Sequence, residues 1–471
     1  MRKFLVFILL FGAAVGGFAQ SGRTGAQNAD GQTIEKTDER SARQLFDEAN
    51  VYAKNKFTEF QTKKIPYSEK LRLQTVQEQK QLAAKNASIL AARNNLAGAD
   101  FYFLGMLQWI AGGEDGAAET LKKYLLTENA DAEKLQAARS VLVILAAHRK
   151  NFDEAERILN DYLNTNPTKP RDRLRMEAEL ASGYRAEKNL LKAAAHAEEA
   201  FRAAKASFQT AQSRLAGVSE LIENGMTVFE IYRDDRNAEK AVKALEDLQK
   251  TGVFVESTGI YYLAVNERIK YLVETGRKPE AMRFYKDALA AVARSFKSKA
   301  WQDELSQRLE AREKHYRILG ETAPGLPDVD RWLTSEPKKF ADLRGRVVLL
   351  DFWATWCGPC FAAFPALARL SQKFEKDGLV VLGVTRYYGT ADGVQVSENK
   401  EIEFLEKLKK ENNLPYDFVV GKEFSNQEAY GVKALPTTVI IDRKGVVRYV
   451  EPGAGKEADI QKTIEKLLAE K

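Results

Sequence analysis

Between residues 41 and 319 the apolar residues recur at a helical spacing, and the positions between them are rich in Ala, Leu, Glu, Lys, Arg and Gln. These residues favour helix, and prolines are almost confined to the joints. The pattern also repeats at a step of 38 residues, because Leu104 and Ala117 recur as Leu142 and Ala155. Small residues at such positions let two helices of a hairpin approach closely. We therefore predict an array of helical hairpins over residues 41–319.

The spacing changes after "GETAPGLPDVDRW", where prolines and glycines crowd into a short stretch. Such a stretch predicts a domain boundary, which we set between residues 319 and 320. Beyond it, apolar runs suited to buried strands, such as "GRVVLLDFWA", alternate with amphipathic helical segments. This alternation predicts a mixed β-sheet flanked by helices over residues 320–471. The expected fold class is thus an α plus α/β multidomain chain, with the helical array first.

The chain starts with a basic pair, an apolar run from Phe4 to Val15, and small residues that end at Ala19. Secretory signal peptides have this order of segments, and the apolar run is short for a bilayer span. We predict a signal peptide at residues 1–19 and a polar, flexible leader at residues 20–40. The protein is then expected in an extracytoplasmic compartment, periplasmic or secreted. An uncleaved N-terminal membrane anchor is the alternative.

Composition narrows the classes of function. Of the 471 residues, 44% are hydrophobic and 29% are charged, and the formal net charge is +6, as in an ordinary soluble protein. So small a positive excess gives no support for a nucleic-acid partner. The three histidines, His148, His196 and His315, all precede the cysteines, so the usual metal sites are hard to build. We expect no metal and no other cofactor.

The only two cysteines, Cys357 and Cys360, lie in "WCGPC" between a predicted strand and a predicted helix. Gly358 permits a tight turn there, and Pro359 suits the first helical turn. Cys357 is therefore expected at a helix N-terminus, where unpaired N–H groups and the helix dipole lower the pKa of its thiol. Cys360, one turn later, is expected to be more buried and to resolve a mixed disulfide. The pair can then alternate between dithiol and disulfide.

The stretch "DFWATWCGPC", together with Pro365 and the downstream "LPTTVIID", resembles the thioredoxin superfamily. The segment between "VTRYY" and "LPTT" resembles the insertion of the TlpA/ResA-like extracytoplasmic oxidoreductases. This likeness covers the last third of the chain and implies a thioredoxin-like fold. Ala363 departs from this likeness, because many TlpA/ResA-like proteins have a glutamate at that position. The departure argues against assigning this chain one specific client of the family, such as apocytochrome c. The helical array resembles degenerate tetratricopeptide repeats.

The resemblance also implies a substrate-binding surface around the cysteines. Pro436 matches the cis-proline beside the active site, and the preceding Leu435 would offer backbone hydrogen bonds to an extended peptide. Trp356 is expected on the rim that substrate contacts. Gly358 and Pro359, between the cysteines, complete the predicted surface.

Asp351 interrupts an otherwise apolar strand six residues before Cys357. A buried carboxylate has a raised pKa unless it is paired. The resemblance implies that Asp351 helps to move the proton off the resolving thiol of Cys360. A carboxylate neutralised by a nearby lysine, with no part in turnover, is the alternative.

We therefore expect a secreted thiol-disulfide oxidoreductase that reduces or exchanges disulfides in extracytoplasmic client proteins through a Cys-Gly-Pro-Cys cycle. An upstream thiol reductant, soluble or membrane-bound, would sustain the cycle, and the helical array would recruit a client or an assembly partner. One alternative is a helical protein-binding scaffold whose second domain carries only a structural disulfide. Another is a peroxiredoxin-like peroxidase, for which Thr355 is present but the characteristic proline is missing.

Overall fold

The computed structural model describes residues 38–211, 214–333 and 339–470. The predicted signal peptide and the leader as far as residue 37 lie outside this part of the chain. Among the helices that are described, none is long and apolar enough to cross a membrane. The chain divides into two compact units, and the division falls between Asp235 and Arg236.

The first unit is helical, and each helix packs against the next one along the chain. Its helices are α1 (Ala42–Thr62), α2 (Glu69–Ala91), α3 (Ala99–Ala111), α4 (Glu114–Leu125), α5 (Ala132–His148), α6 (Phe152–Leu163), α7 (Pro170–Ala186), α8 (Leu190–Ser207) and α9 (Arg214–Asp234). Polar side chains cap several of them, since Ser41, Ser68 and Asp131 each accept a backbone N–H from the first turn.

Small residues allow the close helix packing that the repeat predicts. Ala117 and Ala155 are fully buried. A Cβ built on Gly105 of α3 would lie 2.6 Å from the Leu121 side chain of α4, so the two helices meet where no side chain fits. The predicted helical array is confirmed, whereas the likeness to tetratricopeptide repeats stays a prediction.

The second unit starts with helices and continues into a sheet. Its helices are α10 (Ala238–Phe254), α11 (Thr258–Glu274), α12 (Lys278–Ser295), α13 (Lys299–Glu310), α14 (Glu313–Ile318), α15 (Gly358–Phe374), α16 (Glu398–Glu411), α17 (Ser425–Tyr430) and α18 (Glu457–Ala469). Its strands are β1 (Arg331–Leu333), β2 (Val347–Phe352), β3 (Leu379–Arg386), β4 (Thr390–Ala391), β5 (Val394–Gln395), β6 (Asp417–Gly421), β7 (Thr437–Ile441) and β8 (Val447–Pro452).

In the described residues of this unit, the main sheet has the strand order β1-β6-β3-β2-β7-β8, and β4 pairs only with β5. The neighbours β2, β3 and β6 run parallel, while β1, β7 and β8 pair antiparallel. Every residue of β2 is buried, as expected for a strand covered on both faces. The predicted mixed sheet flanked by helices is confirmed.

Alternation along β2 divides the core into two layers. Leu349 and Trp353 face a cluster that contains both cysteines and side chains of α15, α16 and α18. Leu350 and Phe352 face a second cluster on the other side of the sheet. This separation follows from the two-residue period of a strand.

The helices α10–α14 belong to the same compact unit as the sheet. Arg312, between α13 and α14, is buried and donates hydrogen bonds to the Val450 carbonyl oxygen (3.0 Å) and the Glu451 carboxylate (3.3 Å) of β8. Ile318 and Leu319 pack into the second core layer. Residues 236–319, which the sequence assigns to the helical domain, therefore belong to the same compact unit as the sheet, although most of their buried side chains form a cluster of their own.

Candidate active site

The two cysteines lie where β2 gives way to α15. Cys357 is the N-cap residue of α15, and Pro359 stands in its first turn. Cys357 and Cys360 form a disulfide with an S–S distance of 1.99 Å and a Cα–Cα distance of 5.3 Å. The residue preferences of a helix start explain this placement, because a proline in the first turn gives up no helical hydrogen bond. The amino end of a helix also favours negative charge, so it stabilises a Cys357 thiolate once the disulfide is reduced.

The disulfide is recessed among exposed neighbours. Cys357 is 4% exposed and Cys360 is fully buried. The residues that flank Cys357, which are Trp356, Gly358 and Pro359, are all exposed, and a Cβ built on Gly358 would meet nothing within 4 Å. A substrate can therefore approach Cys357 from the Gly358 side, while Cys360 is shielded.

The loop that ends in Leu435 and Pro436 lies at the same edge of the sheet. The Leu435–Pro436 peptide bond is cis, and Phe352 of β2 stands opposite Thr437, the first residue of β7. The Pro436 carbonyl accepts the N–H of Gly453 at 2.8 Å. Among the described residues, the backbone N–H and C=O of Leu435 have no hydrogen-bond partner. These groups can pair with an extended peptide.

Asp351 faces the layer of the core that contains the cysteines, because it alternates with Leu349 and Trp353 along β2. It is 1% exposed, and its Oδ2 atom has no hydrogen-bond partner in the described structure. Burial raises the pKa of Asp351 to about 7, and no described cation contributes to the shift. The raised pKa agrees with what the sequence predicts for a buried, unpaired carboxyl group. No lysine among the described neighbours neutralises Asp351, as the alternative would require. A carboxyl group with this pKa can exchange a proton near neutral pH.

Tyr416 is a second buried polar group of this region that sequence reasoning missed. Its hydroxyl has no hydrogen-bond partner among the described residues, and burial, followed by the charge of Asp351, raises its pKa. The indole N–H of Trp353 is likewise buried and unpartnered in the described part of the chain. Three polar groups without partners thus lie behind the cysteines, in a layer that is otherwise apolar.

Apart from Trp356, the sequence gave no sign of the aromatic residues that gather beside Cys357, of which Phe424 is exposed and Tyr388 is partly buried. The ring of Trp356 lies 5.8 Å from that of Tyr388, and the Arg386 guanidinium lies 4.2 Å from the Tyr388 ring and 3.8 Å from the Phe424 ring. Arg386 ends β3 and Tyr388 follows it, while Trp356 and Phe424 follow β2 and β6; the carboxyl ends of these three parallel strands share one edge. That edge is where open sheets of this kind bind ligands, a rule that could have drawn attention to "TRYY".

The site offers no metal ligand set. In the parts of the chain that the structure describes, no group of three or more His, Cys, Asp or Glu side chains could hold a metal ion. The chemistry available here is that of the two sulfur atoms and their neighbours.

Comparison with known proteins matches the second part of the chain. A Redoxin family model matches residues 320–468. The thiol-disulfide oxidoreductase ResA of Geobacillus thermodenitrificans is 32% identical over 155 residues, which are 33% of this chain and 81% of that protein. The thioredoxin-like protein YneN of Bacillus subtilis is 29% identical over 133 residues, 28% of this chain and 72% of that protein. The crystal structure of a thiol-disulfide isomerase from Corynebacterium glutamicum aligns with 32% of this chain and 98% of its own, at 23% identity and a TM-score of 0.28.

Proposed function

The chain belongs to the ResA-like thiol-disulfide oxidoreductases of the thioredoxin superfamily, and from this membership we propose that it reduces or exchanges disulfides in client proteins outside the cytoplasm. The matching residues are 320–468. The signal-like pattern of residues 1–19 supports the extracytoplasmic location. Client proteins with disulfides and an upstream thiol reductant are the partners that this reaction needs.

In the proposed cycle the Cys357 thiolate attacks one sulfur of a client disulfide. A bond forms between Cys357 and that sulfur, and the other client sulfur leaves as a thiolate that takes up a proton. Cys360 then attacks the Cys357 sulfur, which restores the Cys357–Cys360 disulfide and releases the second client thiol. Two electrons pass from the protein dithiol to the client disulfide, and the upstream reductant returns them.

Asp351 is proposed to accept the proton that Cys360 loses before it resolves the mixed disulfide. Its pKa of about 7 makes it an effective acceptor near neutral pH, because both protonation states are then populated. Cys360 itself is buried in the same layer of the core, where bulk water has little access.

One observation carries the proposal: a recessed disulfide at the amino end of α15 lies beside a cis-proline loop in which the backbone groups of Leu435 have no partner among the residues that the structure describes. A merely structural disulfide needs neither an exposed rim nor unpaired backbone groups at its side. We propose that substrate contacts Trp356, Gly358, Pro359, Leu435 and Pro436.

The test compares reduction of a model protein disulfide by the wild type, Cys357→Ser and Cys360→Ser. We expect Cys357→Ser to be inactive, because it lacks the attacking sulfur. Cys360→Ser should accumulate a mixed disulfide through Cys357, which non-reducing electrophoresis and mass spectrometry detect. Equal rates for the wild type and Cys357→Ser would exclude the cycle.

The dipeptide between the cysteines supports a reducing direction, since Gly-Pro is the pair of reducing thioredoxins. We expect a reduction potential near about −270 mV, and a value near about −120 mV would place the protein among the strong oxidants instead. Equilibration with a glutathione or dithiothreitol redox buffer measures the potential.

The helical unit is proposed to recruit the client or an assembly partner. It contains a cavity of about 780 Å³, large enough for several side chains of a bound segment. Apolar residues such as Met106, Trp109 and Ile144 line it together with charged residues such as Arg175 and Glu179. Such a lining suits a polypeptide with both apolar and charged side chains.

A further inference from the structure

A continuous strip of aromatic rings and one guanidinium starts at the disulfide and follows the carboxyl edge of the sheet. We define the strip by Trp356, Tyr388, Arg386 and Phe424. The Trp356 and Tyr388 rings meet edge to face at 87°, and the Arg386 guanidinium lies between the Tyr388 and Phe424 rings. Trp356 is 65% exposed and Phe424 is 54% exposed. Tryptophan, tyrosine and arginine are the residues that contribute most at protein interfaces.

In the described part of the chain, no carboxylate forms an ion pair with Arg386. Within the described residues its guanidinium donates to the Tyr387 carbonyl oxygen at 2.9 Å, and its Nε atom is buried without a partner, so an incoming group can reach only the outer nitrogens. Stacking between two rings holds the guanidinium in one plane without satisfying its charge. A carboxylate brought by a partner can therefore form a charge-assisted hydrogen bond with Arg386.

Two carboxylates accept backbone N–H groups next to Tyr388 and Phe424 and hold these parts of the strip in place. The carboxylate of Glu401, fully buried, accepts the backbone N–H groups of Tyr388 (2.8 Å) and Gly389 (2.9 Å). The carboxylate of Asp328 accepts the N–H groups of Lys422 (3.1 Å) and Glu423 (2.6 Å), just before Phe424. A surface that is already ordered loses little entropy when a partner binds to it.

The length of the strip limits what can lie along it. Successive contacts of 5.8, 4.2 and 3.8 Å connect Trp356 to Phe424 by way of Arg386. An extended peptide advances about 3.3 Å per residue, and these contacts form a path rather than a straight line, so at most about three residues reach from Trp356 to Arg386 and at most about four reach Phe424. Trp356 directly precedes Cys357, so the count starts at the reactive cysteine of the client.

We propose that the strip selects clients: it binds an extended segment that carries an acidic side chain about three residues from the reactive cysteine, next to an apolar side chain. The carboxylate pairs with Arg386, and the apolar side chain packs on Phe424. The inference rests on the proposed function, because it takes a client cysteine at Cys357 as its starting point.

The experiment uses the reduced full-length protein and peptides whose single cysteine forms a disulfide with thiopyridine. Attack by Cys357 on the peptide sulfur releases thiopyridone, which absorbs light; Cys360 then forms the Cys357–Cys360 disulfide and frees the peptide thiol, so the second-order rate constant of this single turnover is taken as kcat/KM. Each peptide carries glutamate or glutamine three residues before or after the cysteine. Leucine occupies the next position, one residue further from the cysteine. We expect kcat/KM to be about fivefold higher for glutamate than for glutamine at one of the two positions, as for a partly exposed ion pair.

Substitutions then assign the preference. Arg386→Gln should reduce the glutamate-to-glutamine ratio to about one, whereas Arg386→Lys should keep part of it, because the charge remains. Phe424→Ala should lower kcat/KM for both peptides and leave their ratio above one. The matched control is Arg346→Gln, an exposed arginine at the amino end of β2, which should change nothing.

The outcomes separate this inference from the proposed function. If Cys357→Ser releases thiopyridone as fast as the wild type, the redox cycle itself is wrong. If the wild type reduces every peptide but shows the same kcat/KM for glutamate and glutamine at both positions, only the strip proposal is wrong. A second copy of the chain is the competing occupant, and a dimer in sedimentation experiments that Phe424→Ala dissociates would also overturn the proposal.

Discussion

The Asp351→Asn variant tests whether burial alone controls the protonation of this carboxyl group. Asparagine has nearly the same shape as aspartate and does not titrate in this range, so the substitution removes the charge and leaves the packing of β2 in place. The variant thus separates the effect of the buried charge on stability from the effect of side-chain packing.

The size of the effect follows from the pKa. Burial raises the pKa of Asp351 from 3.8 to about 7. This shift of about three pKa units corresponds to about 4 kcal/mol, at about 1.36 kcal/mol per unit. Between these two pKa values the folded protein holds a proton that the unfolded chain has lost, so stability falls as pH rises through this window. Above about pH 7 both states are ionised, and the full cost is present.

We therefore expect Asp351→Asn to unfold at the same free energy as the wild type at about pH 4, and to be more stable by up to about 4 kcal/mol at about pH 8. Urea unfolding of the oxidised full-length protein measures the difference. Tryptophan fluorescence is the signal, because Trp301, Trp332, Trp353 and Trp356 lie in the second unit, against Trp109 alone in the first.

Asp377→Asn is the matched control, because Asp377 is an exposed carboxylate of the same unit and its loss should not change the pH dependence. Parallel stability curves for the wild type and Asp351→Asn from about pH 4 to about pH 8 would refute the burial argument. In turnover, Asp351→Asn should slow the resolution of a trapped mixed disulfide and remove the inflection near pH 7 from its rate profile. An unchanged profile would exclude Asp351 as the proton acceptor.

Three further predictions concern the way the two units are built. Replacing Arg312 with methionine should destabilise the second unit by about 1–3 kcal/mol, because the Val450 carbonyl oxygen loses its donor and Glu451 keeps, among the described residues, only Lys270 at 3.6 Å. Arg317→Met, at an exposed position, should leave the urea midpoint unchanged, and equal midpoints for the two variants would contradict the structure. Deleting residues 41–235 should preserve reduction of a small disulfide. Deleting residues 41–319 should instead abolish cooperative unfolding, because Ile318 and Leu319 pack against the sheet and Arg312 bonds to β8. A cooperative unfolding transition in the shorter chain would show that α10–α14 are dispensable. Gly105→Ala should lower the free energy of unfolding of the first unit by about 1–2 kcal/mol, measured by circular-dichroism melting, because a Cβ at this position overlaps the Leu121 side chain. An unchanged melting curve would mean that α3 and α4 are further apart.

Local features of the sequence predicted most of the second unit. The apolar run before Asp351 and the Gly-Pro pair after Cys357 indicate a buried strand that leads into a helix, and the structure has β2 and α15 there. These predictions succeed because strand period, helix capping and turn formation depend on residues that are close together in the chain.

Features that depend on long-range contacts could not be predicted in this way. The strand β1 has only three residues, and its pairing with β6 gives no periodic signal. The strip beside Cys357 joins residues that follow three different strands, so only the parallel order of those strands brings them together. Arg312 bonds to Val450, 138 residues away, and a sequence pattern does not record such a pairing.

By itself the sequence determined a helical array, a mixed sheet, a cysteine pair at a helix start and a carboxylate inside an apolar strand. Each of these follows from the preferences of neighbouring residues for a helix, a strand or a turn. Only the tertiary structure decided that α10–α14 belong to the same compact unit as the sheet, that Asp351 has no partner among the described residues, and that an aromatic strip flanks the disulfide. Burial and charge pairing depend on which distant segments pack together, and that is settled by the fold as a whole.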